Sequence, residues 1–151
     1  MGLNKKTSVV YYKNNRNNIL EGCKIAILGY GSQGRAQALN LRDSGYDVVI
    51  GNLEDGYAKQ ARNDGFIVSN FHLAVIDSDV IFLLLPDHAH KDVYENSIKK
   101  YIKKGSMLLV AHGYSINFDD LKVGNNHDLC LLAPRMPGAP IREQYLLGHG
   151  S

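Results

Sequence analysis

Short apolar runs alternate with amphipathic stretches along most of the chain. The apolar runs predict strands at residues 24–29, 47–51, 66–68, 80–85, 107–111 and 129–133. Helical periodicity predicts helices at about residues 33–44, 57–62, 70–77 and 91–103. Strands that alternate with helices imply a parallel sheet with helices on both faces, as does the unbroken apolar run at 80–85. The pattern predicts a single α/β domain, doubly wound around a mainly parallel sheet.

A few residues mark the boundaries of these elements. Gly45 and Gly65 each end a predicted helix in the position that glycine commonly takes, and Asn70 is a candidate N-cap. Ahead of the first core strand, residues 9–12 are β-prone, and the polar run at residues 13–18 predicts an exposed loop.

The first core strand runs directly into a Gly-x-Gly-x-x-Gly motif at residues 29–34, which opens the first helix. In this context Gly29 permits a tight turn, Gly31 lets the backbone approach a phosphate, and Gly34 lets the helix pack closely on its strand. The helix N-terminus adds unpaired N–H groups and a partial positive charge. This arrangement binds a dinucleotide pyrophosphate, so the motif predicts a Rossmann-type domain. The alternative is an ordinary glycine turn.

The loop after the second strand favours NADH over NADPH. That loop, residues 52–56, carries Glu54 and Asp55, and two carboxylates at the ribose position would repel a 2′-phosphate. Alternatively, the two acids complement the dipole of the next helix. Lys59 or Arg62 could still reach a phosphate.

The loop after the fourth strand contains Leu85, Pro86, Asp87, His88 and His90. We expect this loop to pack near the nicotinamide half of the cofactor, and Asp87 could also cap the following helix. The two histidines also admit a metal site, but no further cysteine or carboxylate ligands stand at typical spacings. The cofactor interpretation is therefore preferred.

Two further strand ends each present a candidate functional side chain. His112 leaves the fifth strand at the expected crevice, where it would suit acid–base or substrate-orienting chemistry. A histidine bonded to backbone at a strand end is an equal alternative. Arg135 follows the sixth strand in a turn fixed by Pro134, Pro137 and Gly138. It could hold a carboxylate substrate bidentately or approach the cofactor phosphates, and a solvated surface arginine is the alternative.

Composition and charge indicate which classes of binding partner the chain does not favour. The 151 residues carry 17 basic and 15 acidic side chains, a net charge of +2 that does not favour nucleic acid or an anionic membrane. No apolar run approaches the ~20 residues that span a bilayer, and the first residues lack the apolar core of a secretion signal. We expect a cytoplasmic protein. Cys23 and Cys130 form no disulfide framework and are expected to be buried, reduced thiols.

Taken together, the strand ends resemble one family, ketol-acid reductoisomerase, also called acetohydroxy-acid isomeroreductase. The matching residues are Gly29-Tyr30-Gly31-Ser32-Gln33-Gly34, Ala36 to Leu41 with Asp43-Ser44-Gly45, Leu84-Leu85-Pro86-Asp87, Ala111-His112-Gly113-Tyr114-Ser115-Ile116, Ala133-Pro134-Arg135-Met136-Pro137-Gly138, Arg142-Glu143, Tyr145, Gly148 and Gly150. The match runs in order from about residue 9 to the end of the chain.

The resemblance implies a step of valine, leucine and isoleucine synthesis. In that step, 2-acetolactate or 2-aceto-2-hydroxybutyrate undergoes a magnesium-dependent alkyl shift, and a nicotinamide hydride then gives a 2,3-dihydroxy acid. By similarity, His112 matches the active-site histidine, and Arg135 stands where the family usually has a lysine that holds substrate and metal-bound oxygens. Residues 53–55 replace the arginine and serine that grip a 2′-phosphate, which again favours NADH. His90 stands in place of the usual glutamine.

The predicted catalytic residues are therefore His112 and Arg135. The predicted cofactor-binding residues are Gly29, Tyr30, Gly31, Ser32, Gln33, Gly34, Asn52, Leu53, Glu54, Asp55, Leu85, Pro86, Asp87, His90 and Gly138. We predict no metal ligand in this chain, because the family carries its acidic Mg²⁺ ligands in a C-terminal helical domain.

We expect residues 1–151 to form the N-terminal NAD(P)-binding Rossmann domain of the family without that helical domain. Such a chain would bind NADH or NADPH, with NADH slightly favoured, and would not complete the isomerisation of a small 2-keto or 2-hydroxy acid alone. An isolated domain with exposed apolar surface could form a homodimer. Two alternatives remain at this stage: a stand-alone dinucleotide-binding or redox-sensing module, and another small dehydrogenase acting on a different carbonyl substrate.

Overall fold

The computed structural model describes residues 20–118 and 121–149. The β-prone run at 9–12 and the polar run at 13–18 lie outside the described residues. Within the described part, six strands form one sheet: β1 (Lys24–Leu28), β2 (Asp47–Gly51), β3 (Ile67–Ser69), β4 (Val80–Leu83), β5 (Met107–Val110) and β6 (Asp128–Leu131). Their order is β3-β2-β1-β4-β5-β6, and every neighbouring pair is parallel. The predicted doubly wound Rossmann fold is confirmed.

Helices connect these strands and cover the sheet. They are α1 (Ser32–Asp43), α2 (Gly56–Asn63), α3 (Phe71–Val75), α4 (Asp87–Val93), α5 (Tyr114–Asn117) and α6 (Gly138–Leu146). A π-helical segment at Tyr94–Ile98 continues α4. The side chain of Asn70 accepts a hydrogen bond from the Leu73 N–H and so caps α3, as predicted. Gly45 and Gly65 have φ values of 90° and 89° and follow α1 and α2, also as predicted.

Strand β1 separates two apolar clusters, one on each face of the sheet. Ala26 and Leu28 contribute to one cluster and Ile25 and Ile27 to the other, and all four are completely buried. This double burial explains why β1 is an uninterrupted apolar run. The carboxyl-terminal halves of its neighbours β2 and β4 are buried as well, so the loop after β1 leaves from the centre of the core.

Several predicted boundaries are wrong. The fourth strand ends at Leu83 rather than at residue 85, and the helix predicted at 91–103 already begins at Asp87. Pro86 is the N-cap of that helix, so Asp87 lies in the first turn and does not cap it as predicted. Helices α5 and α6 were not predicted at all. Cys23 and Cys130 are half buried rather than buried, and no disulfide joins them.

Candidate dinucleotide site

The glycine turn lies where the strand order reverses. The chain proceeds from β1 outward to β2 and β3 and then returns to β4 on the other side of β1. In such sheets a crevice opens beyond the carboxyl ends of the strands at this point. Gly29 has a φ of 93°, which favours glycine, and its N–H donates to the Gly51 carbonyl at 2.9 Å. A Cβ at Gly34 would lie 1.9 Å from the Gly29 carbonyl oxygen, so α1 packs on the turn closely enough to require glycine.

Gly31 lies beside open space. A Cβ built there meets no heavy atom within 4 Å, and its φ of −72° is accessible to any residue. Neither packing nor backbone conformation in the described residues therefore requires glycine at this position. The position immediately precedes α1, whose first N–H groups favour an anion. The open space at Gly31 is therefore large enough for an added side chain, and a bound group could occupy it instead.

A cleft of about 520 Å³ surrounds this turn. Its lining residues are Gly29, Tyr30, Gly31, Ser32, Gln33, Asn52, Leu53, Asp55, Tyr57, Phe71, Leu84, Leu85 and Pro86. The structure thus brings together ten of the predicted cofactor residues from three separate loops. Tyr57 and Phe71 line the cleft as well but were missed. Their signal was available, because Tyr57 begins the predicted second helix and Phe71 follows the third strand end.

Asn52 joins the glycine turn to the loop after β2. Its Oδ1 atom accepts a hydrogen bond from the Tyr30 N–H at 3.0 Å, and its Nδ2 atom donates to Asp55 at 2.9 Å. The same Asp55 oxygen accepts from the N–H groups of Tyr57 and Ala58, at 2.8 and 3.0 Å. Asp55 is therefore the N-cap of α2, which confirms the dipole interpretation for this acid.

Glu54 forms a bidentate ion pair across the same loop. Its two carboxylate oxygens lie 2.6 and 2.7 Å from the Arg62 guanidinium. The hydrogen bond from Arg62 lowers the pKa of Glu54, and the same bond raises the pKa of Arg62. The net negative charge around this loop is consequently smaller than its two carboxylates alone would give, because the Arg62 cation lies beside them.

Asp64 accepts hydrogen bonds from three side chains, one of which, Tyr30, belongs to the glycine turn. It accepts hydrogen bonds from Tyr30 Oη at 2.9 Å, Arg35 Nε at 2.7 Å and Gln60 Nε2 at 3.1 Å. The hydrogen bond from Arg35 is the main cause that lowers the pKa of Asp64. Burial, followed by the bond to Asp64, raises the pKa of Tyr30, so this phenol remains a donor. Sequence reasoning missed Asp64, because 34 residues separate it from Tyr30 without any local signal.

The predicted cofactor residues after β4 line two neighbouring cavities. Leu85 and Pro86 line the main cleft. Asp87 and His90 instead line a smaller cavity of about 190 Å³ beside it, together with Gln33 and other residues of the β4 and β5 ends. The His90 side chain is only 2% exposed.

His112 leaves the end of β5 and reaches the same smaller cavity. Its side chain is 70% exposed, and its Nδ1 atom lies 3.4 Å from the Asp87 carboxylate and 3.2 Å from the Tyr114 backbone nitrogen. The side chain is thus both bonded to backbone and open to a ligand. Arg135 is exposed in the turn after β6 and lines neither cavity.

Gly138 contacts the site through its backbone. A Cβ at Gly138 would lie 2.0 Å from the Ser32 carbonyl oxygen, so the start of α6 touches the first turn of α1. Gln33 Nε2 also donates to the Met136 carbonyl at 3.0 Å. The segment after β6 therefore contacts the glycine turn, although 105 residues lie between Ser32 and Gly138 in the sequence.

The parallel sheet, the glycine turn at its switch point and the adjoining cleft define a Rossmann domain with a candidate dinucleotide site. A family model described as "Acetohydroxy acid isomeroreductase, NADPH-binding domain" matches residues 19–151. The chain belongs to this family, and the resemblance predicted from its motifs is confirmed.

Curated relatives carry the name ketol-acid reductoisomerase (NADP(+)). The protein from Methanosphaera stadtmanae is 40% identical over 144 residues, which cover 95% of this chain and 44% of the relative. The protein from Xanthomonas euvesicatoria is 48% identical over 128 residues, which cover 84% of this chain and 38% of the relative. The chain thus spans less than half the length of these relatives.

Solved structures agree on the fold. An NADH-preferring ketol-acid reductoisomerase from an uncultured archean has a TM-score of 0.85 at 40% identity, covering 88% of this chain and 42% of that one. A 3-hydroxyisobutyrate dehydrogenase from Mycobacterium tuberculosis has a TM-score of 0.66 at 17% identity over 80% of this chain and 43% of that one, which supports the fold alone.

Across residues 20–118 and 121–149, no group of three or more His, Cys, Asp or Glu side chains could hold a metal ion. In the same ranges, none of the helices combines the length and apolar character that a membrane span requires.

Proposed function

We propose that this chain is the cofactor-binding part of a ketol-acid reductoisomerase. The observation that carries the proposal is the open space at Gly31, which adjoins the α1 N-terminus in a chain of this family. When bound, the nicotinamide cofactor supplies the hydride that reduces the 2-keto acid formed from 2-acetolactate or 2-aceto-2-hydroxybutyrate. Membership of the family does not favour the redox-sensing module or another small dehydrogenase.

In this proposal the chain's own residues bind and orient the dinucleotide. The N–H groups at the start of α1 hold the pyrophosphate. Leu53 and Tyr57 border the adenosine end, while Leu85 and Pro86 lead toward the nicotinamide end. His112, beside the smaller cavity, acts on or orients the substrate at that end.

Arg135 supplies a cation for the substrate carboxylate in the same proposal. It is exposed and pairs with no carboxylate within residues 20–118 and 121–149, so its charge is available to a ligand. Because it lies outside both cavities, this role requires the substrate to bridge from His112 toward the β6 turn. Magnesium, a homodimer and a cytoplasmic location remain predictions that come from the resemblance and the sequence.

We further propose that NADH binds more tightly than NADPH. Asp55 caps α2. Glu54, in the same loop, forms the ion pair with Arg62 of α2, so this cation already has a carboxylate partner. A 2′-phosphate would have to displace Glu54 to reach Arg62, and this displacement would cost NADPH affinity.

Calorimetric titration of the chain with each cofactor tests both proposals. We expect saturable binding of NADH and weaker binding of NADPH. Gly31→Ala fills the space reserved for the pyrophosphate and should abolish binding while leaving the fold intact. Gly124→Ala is the matched control, since its added Cβ makes only an ordinary contact at 3.9 Å. Binding of neither cofactor, or full binding by Gly31→Ala, would overturn the cofactor site, and tighter NADPH binding would overturn only the preference.

A further inference from the structure

The carboxylate of Asp87 lies between two histidines at the carboxyl end of the sheet. Its Oδ2 atom is 3.4 Å from Nδ1 of His112, and its Oδ1 atom is 3.8 Å from Nδ1 of His90. The first distance is slightly longer than an ordinary hydrogen bond and is an electrostatic contact, and the second is too long for any hydrogen bond. Asp87 is thus closer to the exposed histidine than to the buried one.

Two hydrogen bonds hold the His90 ring. Its Nε2 atom lies 2.9 Å from the Leu85 carbonyl oxygen, which can only accept, so Nε2 carries a proton. Its Nδ1 atom lies 2.8 Å from the hydroxyl of Ser115, a completely buried residue of α5. These bonds join the first turns of α4 to the end of β4 and to α5. They fix the turn of α4 that presents the Asp87 carboxylate.

The Nδ1 atom of His112 lies near one hydrogen-bond donor and one acceptor, which favour opposite protonation of this atom. The Tyr114 N–H, 3.2 Å away, is a donor and requires a lone pair on Nδ1. The Asp87 carboxylate is an acceptor and requires a proton on Nδ1. A neutral imidazole carries one proton and cannot meet both demands at once. The contact that prevails decides whether the other nitrogen, Nε2, accepts or donates a hydrogen bond.

We propose that Asp87 is a positioning residue that selects the His112 tautomer with its proton on Nδ1. Nε2 then carries the lone pair and accepts a proton or hydrogen bond from a group in the adjoining cavity. This inference rests on the proposed function, in which His112 acts at the nicotinamide end. The Tyr114 N–H favours the opposite tautomer, with Nε2 as a donor.

The test measures the ring-nitrogen chemical shifts of His112 in the chain labelled with isotopes in its six histidines. His112→Gln assigns the signals, and the pH is raised until the ring shifts stop changing, so that only neutral imidazoles are compared. We expect Asp87→Asn to reduce the population protonated on Nδ1 several-fold. Asp87→Glu keeps the carboxylate and should restore much of that population. Asp92→Asn, which removes the same charge from an exposed position on α4, should change nothing.

A second variant approaches the competition from the other side. Tyr114→Pro removes the competing N–H at the first position of α5 and should increase the population protonated on Nδ1, provided that circular dichroism shows an unchanged fold. Equal tautomer populations in the wild type and Asp87→Asn, an equal change in Asp92→Asn, or no increase in Tyr114→Pro would overturn the proposal. Since no cofactor is present, a failure of NADH to bind in calorimetry would overturn the proposed function separately.

Discussion

Two adjacent carboxylates after β2 serve different purposes. Asp55 satisfies the first N–H groups of α2, whereas Glu54 pairs with a cation eight positions further along the chain. The sequence shows two acids in a loop and cannot show this division, because it depends on how α2 leaves the sheet. The net charge of this loop therefore depends mainly on the Glu54–Arg62 pair.

Glu54→Gln should weaken the preference for NADH. The substitution removes the charge that holds Arg62, and a freed guanidinium can bind a 2′-phosphate bidentately. We expect NADPH to bind several-fold more tightly, with little change for NADH, in calorimetric titrations of both cofactors. Glu95→Gln is the control, because it breaks a similar bidentate pair with Lys99 on a distant helix. Unchanged NADPH affinity would show that Arg62 does not reach the phosphate.

Asp64→Asn should destabilise the fold in a pH-dependent way. At about pH 7 the loss of charged hydrogen bonds to Arg35 and Tyr30 should cost about 1–3 kcal/mol. Because the folded state lowers the pKa of Asp64, the unfolded state takes up protons first as the pH falls. The stabilisation is therefore present above the unfolded pKa of about 3.9 and is lost as the pH falls through the folded pKa.

Urea unfolding of the wild type and Asp64→Asn at several pH values measures this effect. The difference in free energy of unfolding should be full at about pH 7 and should shrink below about pH 4. Asp92→Asn serves as a surface control. A difference between wild type and Asp64→Asn that persists undiminished in acid would contradict an electrostatic origin.

At the level of elements, sequence reasoning succeeded where burial dictates the pattern. Strand β1 and helix α1 were predicted closely because both faces of the strand are buried and the glycine turn marks their junction. It failed at α4, since Pro86 was taken as the end of a strand and the start of a loop, although proline also suits a helix start. Helix α6 was missed because Pro137, Gly138 and Pro140 obscure its beginning.

One added methyl group tests the close contact between α6 and α1. In Gly138→Ala the new Cβ must displace the Ser32 backbone or move the start of α6, which should cost about 1–3 kcal/mol of stability. The shift should also weaken NADH binding, because Ser32 lines the cleft. Gly56→Ala, the first residue of α2, meets open space and should retain full stability in thermal unfolding. Wild-type stability of Gly138→Ala would contradict this close contact.

For the whole molecule, the topology was predictable because alternating strands and helices leave few ways to form a parallel sheet. The location of the site followed from the same rule, which places the loops after β1, β2 and β4 at one edge. The polar contacts between distant segments could not be predicted from the sequence. Asn52, Asp64 and Asp87 each join segments that are distant in sequence, and such contacts depend on side-chain positions that only the folded chain defines.

If the cleft binds a dinucleotide only in the folded state, NADH must stabilise the whole chain. At a concentration of about 100 times its Kd, a ligand adds about 2.7 kcal/mol to the free energy of unfolding. For a chain of this size, that increment should raise the unfolding midpoint by about 5–10 °C in a thermal scan. NADPH at the same concentration should raise it less, and neither cofactor should raise it in Gly31→Ala. A midpoint that does not depend on NADH would mean that the open space at Gly31 is not a cofactor site, whatever the family of the chain.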